Sequence, residues 1–266
     1  MNGKLSTIAL LTDFGSQDSY VAEMKGVILS INSNVNIIDI SHNIEPQNIL
    51  QASLMLKRSY GFFPSRTIFI CVVDPDVGSG RKIILIEAEE YSFVAPDNGL
   101  LWLTANELSV NKIISLENYD YFLNPTPSTF EGRDKMAPAG SYLSLGIEPG
   151  QFGPIQSGIE KLEIPKTQIE KNLLIGEIIY FDRFGNAITN ISMDDLMENE
   201  PRNLPLVIFG PDEIGHIVST FSDAANGSAV AYFGSSGYLE MAIFNGNFRL
   251  KYSARPGDRV VVDYAK

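Results

Sequence analysis

The sequence predicts an α/β N-terminal domain with a central, mostly parallel sheet, followed by a smaller all-β C-terminal domain, either a barrel or a sandwich. Three observations predict it: a β-α-β pattern opens the chain, a run rich in glycine and proline interrupts it, and short apolar segments separated by turn residues close it. Residues 5–11 are an apolar run that ends in Thr12, Asp13, Phe14 and Gly15, the way a strand hands over to a loop. Tyr20, Val21, Met24, Val27, Ile28 and Ile31 then recur at helical spacing, and residues 35–40 form a β-branched run closed by Ser41 and His42. A helix is expected over about residues 46–60, with Pro46 in its first turn. Residues 67–73 read as a fully buried strand. Strands follow near residues 82–87 and 91–95, then a turn and a short helix carrying Trp102, the only tryptophan, and a helical pattern at about residues 138–145.

Residues 146–171 hold four glycines and three prolines with little periodicity. We therefore expect an α/β domain over residues 1–150, a linker over 151–171 and a β-rich domain over 172–266. In that last stretch residues 173–181, 187–191, 206–209, 228–233, 238–243 and 259–264 are short and apolar, with Gly, Asn and Asp between them.

Composition narrows the function. The chain has 266 residues and 44% hydrophobic content, enough for a sizeable core. A net charge of -12, with no run of Lys and Arg, makes nucleic acid a poor partner. The one cysteine, Cys71, lies inside the buried run at residues 67–73 and reads as core, in keeping with a reducing compartment. No apolar segment is long enough for a signal peptide or a membrane span, so a cytoplasmic protein without a membrane partner is expected.

Two histidines, His42 and His216, and one cysteine do not make a usual zinc site, and no metal is expected. There is no phosphate-binding P-loop, no complete dinucleotide fingerprint and no nucleophile-elbow serine. What remains is aspartates: Asp13, Asp39, Asp74, Asp76 and Asp97 fall at or just after candidate strand ends, where open α/β sheets bind ligands. Each also reads as a helix cap or turn residue, and a magnesium-carboxylate site stays open from composition alone.

Five segments together carry more information. Residues 11–20 read LTDFGSQDSY, 72–81 VVDPDVGSGR, 95–99 APDNG, 182–190 DRFGNAITN and 234–240 GSSGYLE. In this order, across nearly the whole chain, they resemble the S-adenosylmethionine hydroxide adenosyltransferases, relatives of the fluorinating and chlorinating enzymes that act on the same sulfonium. The resemblance implies hydrolysis of S-adenosyl-L-methionine to adenosine and L-methionine without a cofactor. It also implies a homotrimer whose ligand lies between the first domain of one subunit and the second domain of its neighbour.

By position, the resemblance gives Asp13 the ribose hydroxyls, Asp18 and Asp182 the methionine amino group, and Ser235 a place near the methionine end. Asn186 matches an amide that reads the adenine edge, with Phe184 and Phe221 on its face. Arg81 matches the arginine that holds the attacking water, and Asp74 holds Arg81. The residues themselves leave other readings open: Asp13 as a turn residue, Asp18 as a helix cap, the two phenylalanines as core, and Asp74 with Arg81 as a surface ion pair.

The chain departs from this pattern at Glu131, which stands in residues 129–134, TFEGRD, where a histidine is usual. Glu131 would act as a proton acceptor or pair with Arg81 and blunt its effect on the water. Asp76 replaces a common glycine and would either crowd the site with charge or sit in solvent. The halogenating relatives have a serine where this chain has Gly132 and a tyrosine where it has Asp74, which argues against halide transfer. A protein that binds the ligand without turning it over is the remaining alternative.

Overall fold

The computed structural model describes residues 5–123, 129–198, 204–220 and 225–264, and the chain divides into two compact units, Met1–Glu163 and Ile164–Lys266. In the first unit the strands are β1 (Ser6–Thr12), β2 (Val35–Ser41), β3 (Ile68–Val72), β4 (Ile83–Ala88), β5 (Ser92–Pro96) and β6 (Val110–Ser115). The helices are α1 (Tyr20–Ile31), α2 (Ile49–Ser59), α3 (Trp102–Ala105) and α4 (Ala137–Ser144). Helix α2 starts after Pro46 rather than at it, because the Asn48 side chain accepts the Gln51 N–H at 2.9 Å and caps the helix there.

The six strands lie in the order β2-β1-β3-β5-β4-β6. This sheet is mixed, which corrects the expectation of a mostly parallel one. β1 pairs in parallel with β2 and β3, and β3 with β5, but β4 is antiparallel to both β5 and β6. The reason is chain length: only residues 89–91 join β4 to β5, and a parallel crossover needs a dozen or more.

Alternation along the strands covers the sheet on both faces. Ile8 and Leu10 of β1 join Met24 and Ile28 of α1 in one core, while Ala9 and Leu11 join Ala52 and Leu56 of α2 in the other. Strand β3 is buried along its whole length. Its Cys71 belongs to the second core, where burial pushes the thiol pKa up.

The front of the expected linker belongs structurally to the first unit. Gln156 N–H donates to the Ile113 carbonyl at 2.9 Å, and Asp97 accepts from Gln156 Nε2 at 3.0 Å and from the Glu160 N–H at 2.8 Å. Asp97, one of the candidate ligand aspartates, is thereby a tether for this segment.

In the second unit the strands are β7 (Gln168–Glu170), β8 (Leu173–Phe181), β9 (Ala187–Ser192), β10 (Leu206–Phe209), β11 (Asp212–Val218), β12 (Ala229–Phe233), β13 (Tyr238–Ile243) and β14 (Arg259–Asp263), with short helices α5 (Met193–Met197) and α6 (Phe248–Tyr252). β8, β9, β13, β12, β11, β10 and β14 pair in sequence, and β14 pairs back onto β8. The result is a closed barrel of seven strands, the barrel alternative of the two left open by the sequence. Its interior is filled by Leu174, Ile178, Val207, Ala231, Met241, Val260 and their neighbours, so it is a packed core. Strand β7 pairs only with β8, outside the ring.

Candidate active site

The carboxyl ends of neighbouring parallel strands β1 and β3 carry Asp13 and Asp74, which places the two acids side by side. Burial, with the charge of Asp74 added, pushes the Asp13 carboxyl above its ordinary pKa, while the backbone N–H groups of Gln47 and Asp13 pull it down. The Gln47 N–H donates to Asp13 Oδ2 at 2.8 Å. Behind Asp13, Thr12 Oγ1 and His42 Nδ1 lie 2.8 Å apart, and His42 Nε2 lies 3.0 Å from Asp39, which accepts from Lys25 at 2.6 Å. His42 and Asp39 are thus braces for the loop after β1, a role their sequence positions did not disclose.

Because β4 runs antiparallel, it begins beside the carboxyl end of β5, at the edge of the sheet where β3 also ends. Arg81, two residues ahead of β4, is delivered to Asp74 in this way. Arg81 Nε donates to Asp74 Oδ1 at 2.8 Å, and Nη2 donates to Asp74 Oδ2, a two-pronged arrangement that fixes the plane of the guanidinium. Nη2 also donates to Glu131 Oε2 at 2.5 Å, and Nη1 donates to the Lys82 carbonyl at 3.2 Å. Of the five guanidinium N–H groups four have acceptors among the described residues, which leaves one Nη1 N–H to offer to a further oxygen.

These side chains are buried: Arg81 keeps 9% of its exposure, Asp74 5% and Glu131 10%, which rules out a surface ion pair. Burial opposes the charge on Arg81, but hydrogen bonds and charge from Asp74 and Glu131 outweigh it and raise the guanidinium pKa. Asp76 is exposed and offers Asp74 only its backbone N–H, at 3.3 Å, so it does not crowd the cluster.

Glu131 is set by the segment that leads into α4, a π-helical turn over Gly132–Met136. Arg133 holds this turn, bonding Asp134 through Nε at 2.6 Å and Glu23 of α1 through Nη1 at 2.8 Å, and lying 5.1 Å over the Phe130 ring. Phe130 in turn packs edge-on against Phe14 and Tyr20. Lys135, not singled out from the sequence, donates Nζ to Glu131 Oε1. Its signal was the four-residue spacing on a helical segment.

In the second unit the β8–β9 turn builds a different site. Asp182 Oδ1 accepts the N–H groups of Phe184 and Asn186, both at 2.9 Å, and Oδ2 accepts Asn186 Nδ2 at 2.8 Å. Gly185 has φ +81°, and a side chain there would collide with Asn247, so the turn requires glycine. Phe184 and Asn186 line a pocket of about 390 Å3 with Tyr232, Ile243, Asn245 and Gly246, within the ordinary range for small-molecule sites. Phe184 is 73% exposed, so it is no core residue.

Asp18 is exposed ahead of α1, whose N-cap position is Ser19, so Asp18 is not the cap. Ser235 is exposed in the turn between β12 and β13. Phe221 lies outside the described residues. Among the described residues there is no cluster of metal-ligating side chains and no helix long and apolar enough to cross a membrane.

Comparison with known proteins decides the family. The SAM hydroxide adenosyltransferase N-terminal domain matches residues 8–153, and the C-terminal domain of the same family matches residues 176–261. The chain belongs to the SAM hydroxide adenosyltransferases. It is similar to the (R)-S-adenosyl-L-methionine hydrolase of Methanocaldococcus jannaschii, 35% identical over 254 residues that cover 91% of this chain and 90% of the relative. The hydrolase of the same description from Salinispora tropica is 31% identical, covering 96% and 97%. An uncharacterized conserved protein from Thermotoga maritima has a similar crystal structure, with TM-score 0.86 and 36% identity over 96% of this chain and 99% of that one. A fluorinase from Actinoplanes is more distant, 28% identical over 97% of each chain.

Proposed function

We propose that this SAM hydroxide adenosyltransferase family member hydrolyses S-adenosyl-L-methionine to adenosine and L-methionine. The observation that carries the proposal is the buried, two-pronged grip of Asp74 on Arg81, which leaves one guanidinium N–H for the attacking water. The names of the hydrolase relatives support the reaction class.

In the proposed step an oxygen–C5′ bond forms as the C5′–S bond breaks, and its electron pair returns to sulfur. Methionine leaves as a neutral thioether, and the water surrenders one proton to solvent, so the sulfonium charge is balanced. The sulfonium is already a good leaving group. Arg81 need only position the water and favour its hydroxide form, and the step calls on no metal or redox cofactor. Asp13 takes the ribose hydroxyls, Asn186 the adenine edge and the open face of Phe184 the ring. Asp18 and Ser235, both exposed, are assigned to the methionine end; Asp182 is matched to that end by resemblance, while in the fold its two oxygens hold the turn that carries Phe184 and Asn186. Phe221 is assigned to the adenine face by resemblance alone.

Each unit by itself carries half of these residues, which suits a homotrimer with each site shared between the first unit of one subunit and the second unit of another. Analytical ultracentrifugation tests that assembly. A cytoplasmic site of action is part of the same proposal, in keeping with the buried thiol of Cys71.

The reaction is tested by chromatography of the purified protein with S-adenosyl-L-methionine. Adenosine and methionine should appear in equal amounts, faster than in a blank, and should be lost in Arg81→Ala. The hydrogen bond from Arg81 to Glu131 favours one second reading, a protein that binds the ligand without turnover. Saturable binding with no products would establish it.

A further inference from the structure

The charge cluster around Arg81 contains a member that the hydrolytic reading does not use. Asp74 and Glu131 are two carboxylates on one guanidinium, so these three groups alone carry a net negative charge, in a place from which water is largely excluded. Such a charge opposes the hydroxide-like water that the reaction needs. Lys135 changes the balance. Its ammonium bonds the Glu131 oxygen that Arg81 leaves free, since Arg81 takes Oε2 and Lys135 takes Oε1.

The lysine is itself held for this task. Its side chain keeps 19% of its exposure, and its ammonium lies 5.7 Å from the centroid of the Phe122 ring, a second attraction on the cation. The π-helical turn between Glu131 and α4 places the two residues of the pair together, with Arg133 pinning the turn to Asp134 and α1.

We infer that Lys135 is a positioning residue for the displacement: by neutralising Glu131 it frees the charge of Arg81 to act on the attacking water. The inference rests on the hydrolytic reading above. It follows that Lys135 matters to turnover only while residue 131 is a carboxylate. With histidine at 131, Asp74 and Arg81 balance each other and the lysine has nothing to neutralise.

A double-mutant cycle tests this, using Lys135→Met in the native background and in Glu131→His, with turnover and melting temperature measured for all four proteins. In the native background Lys135→Met should lower kcat about tenfold or more with KM changed less than about twofold; in the Glu131→His background it should change kcat less than about twofold. Lys135→Arg, which keeps the charge, should retain most of the native kcat. Equal losses in both backgrounds, or a Lys135→Arg protein as slow as Lys135→Met, would overturn the inference while leaving hydrolysis intact. A native protein that forms no adenosine overturns both. Should Lys135→Met melt below the assay temperature, Lys135→Gln replaces it in the same cycle with the same expected outcomes.

Discussion

The side-chain amide of Asn186 donates to Asp182 Oδ2 at 2.8 Å, while Asp182 Oδ1 gathers two backbone N–H groups of the same turn. The carboxylate thereby fixes which way the amide presents its remaining N–H and its oxygen to the pocket. Asp182→Ala should let the amide rotate and raise KM for S-adenosyl-L-methionine about tenfold, the order expected for a lost charge-assisted hydrogen bond, with kcat nearly unchanged. Steady-state kinetics and adenosine affinity check this together, since KM should rise and adenosine affinity should fall by a similar factor.

Arg81 makes its contacts through a planar fork. Arg81→Ala should lower kcat about a hundredfold or more, the scale seen when one electrostatic donor is removed from a reacting centre. Arg81→Lys should restore little, because an ammonium cannot bond both Asp74 oxygens and Glu131 from one plane. Single-turnover assays with saturating substrate separate this loss from weakened binding.

Burial raises the Asp13 carboxyl pKa in the folded protein above its unfolded value. The folded state therefore holds the proton more tightly, and stability falls as pH rises from the unfolded pKa through the folded one. Asp13→Asn should accordingly raise the melting temperature at neutral pH, with the gain shrinking as acid protonates the native residue. The same substitution should raise KM, because the amide is a weaker acceptor for ribose hydroxyls. Melting curves across roughly pH 3 to pH 7 check the sign.

Gly132 sits in a tight place. A Cβ there would lie 3.3 Å from Phe130 and Val72 side-chain atoms and 3.4 Å from the Met24 sulfur. Gly132→Ser should destabilise by about 1–3 kcal/mol, the usual scale for overpacking, measured as a lower denaturation midpoint. It should not by itself confer halide transfer, since Asp74 still places a carboxylate beside Arg81. Incubation with chloride or fluoride should give adenosine and no 5′-halogenated product.

The apolar runs at residues 5–11 and 67–73, the helical spacing from Tyr20 to Ile31 and the turn-punctuated second half determined two domains of the right kind, because burial is written directly into the pattern of apolar residues. The motifs carried the family, and they marked Asp13, Asp74, Arg81 and Asn186 as candidates for its site. The short connection from β4 to β5 makes that pair antiparallel, but the placement of β5 beside β3, and with it the delivery of Arg81 to Asp74, was decided by tertiary pairing. Closure of the barrel and the braces His42 and Asp39 behind Asp13 were likewise decided only in three dimensions. The physical reason is that neither a strand's non-sequential neighbour nor a polar side chain's partner leaves a periodicity in the sequence, and each is fixed by which distant segment the fold brings within hydrogen-bonding reach.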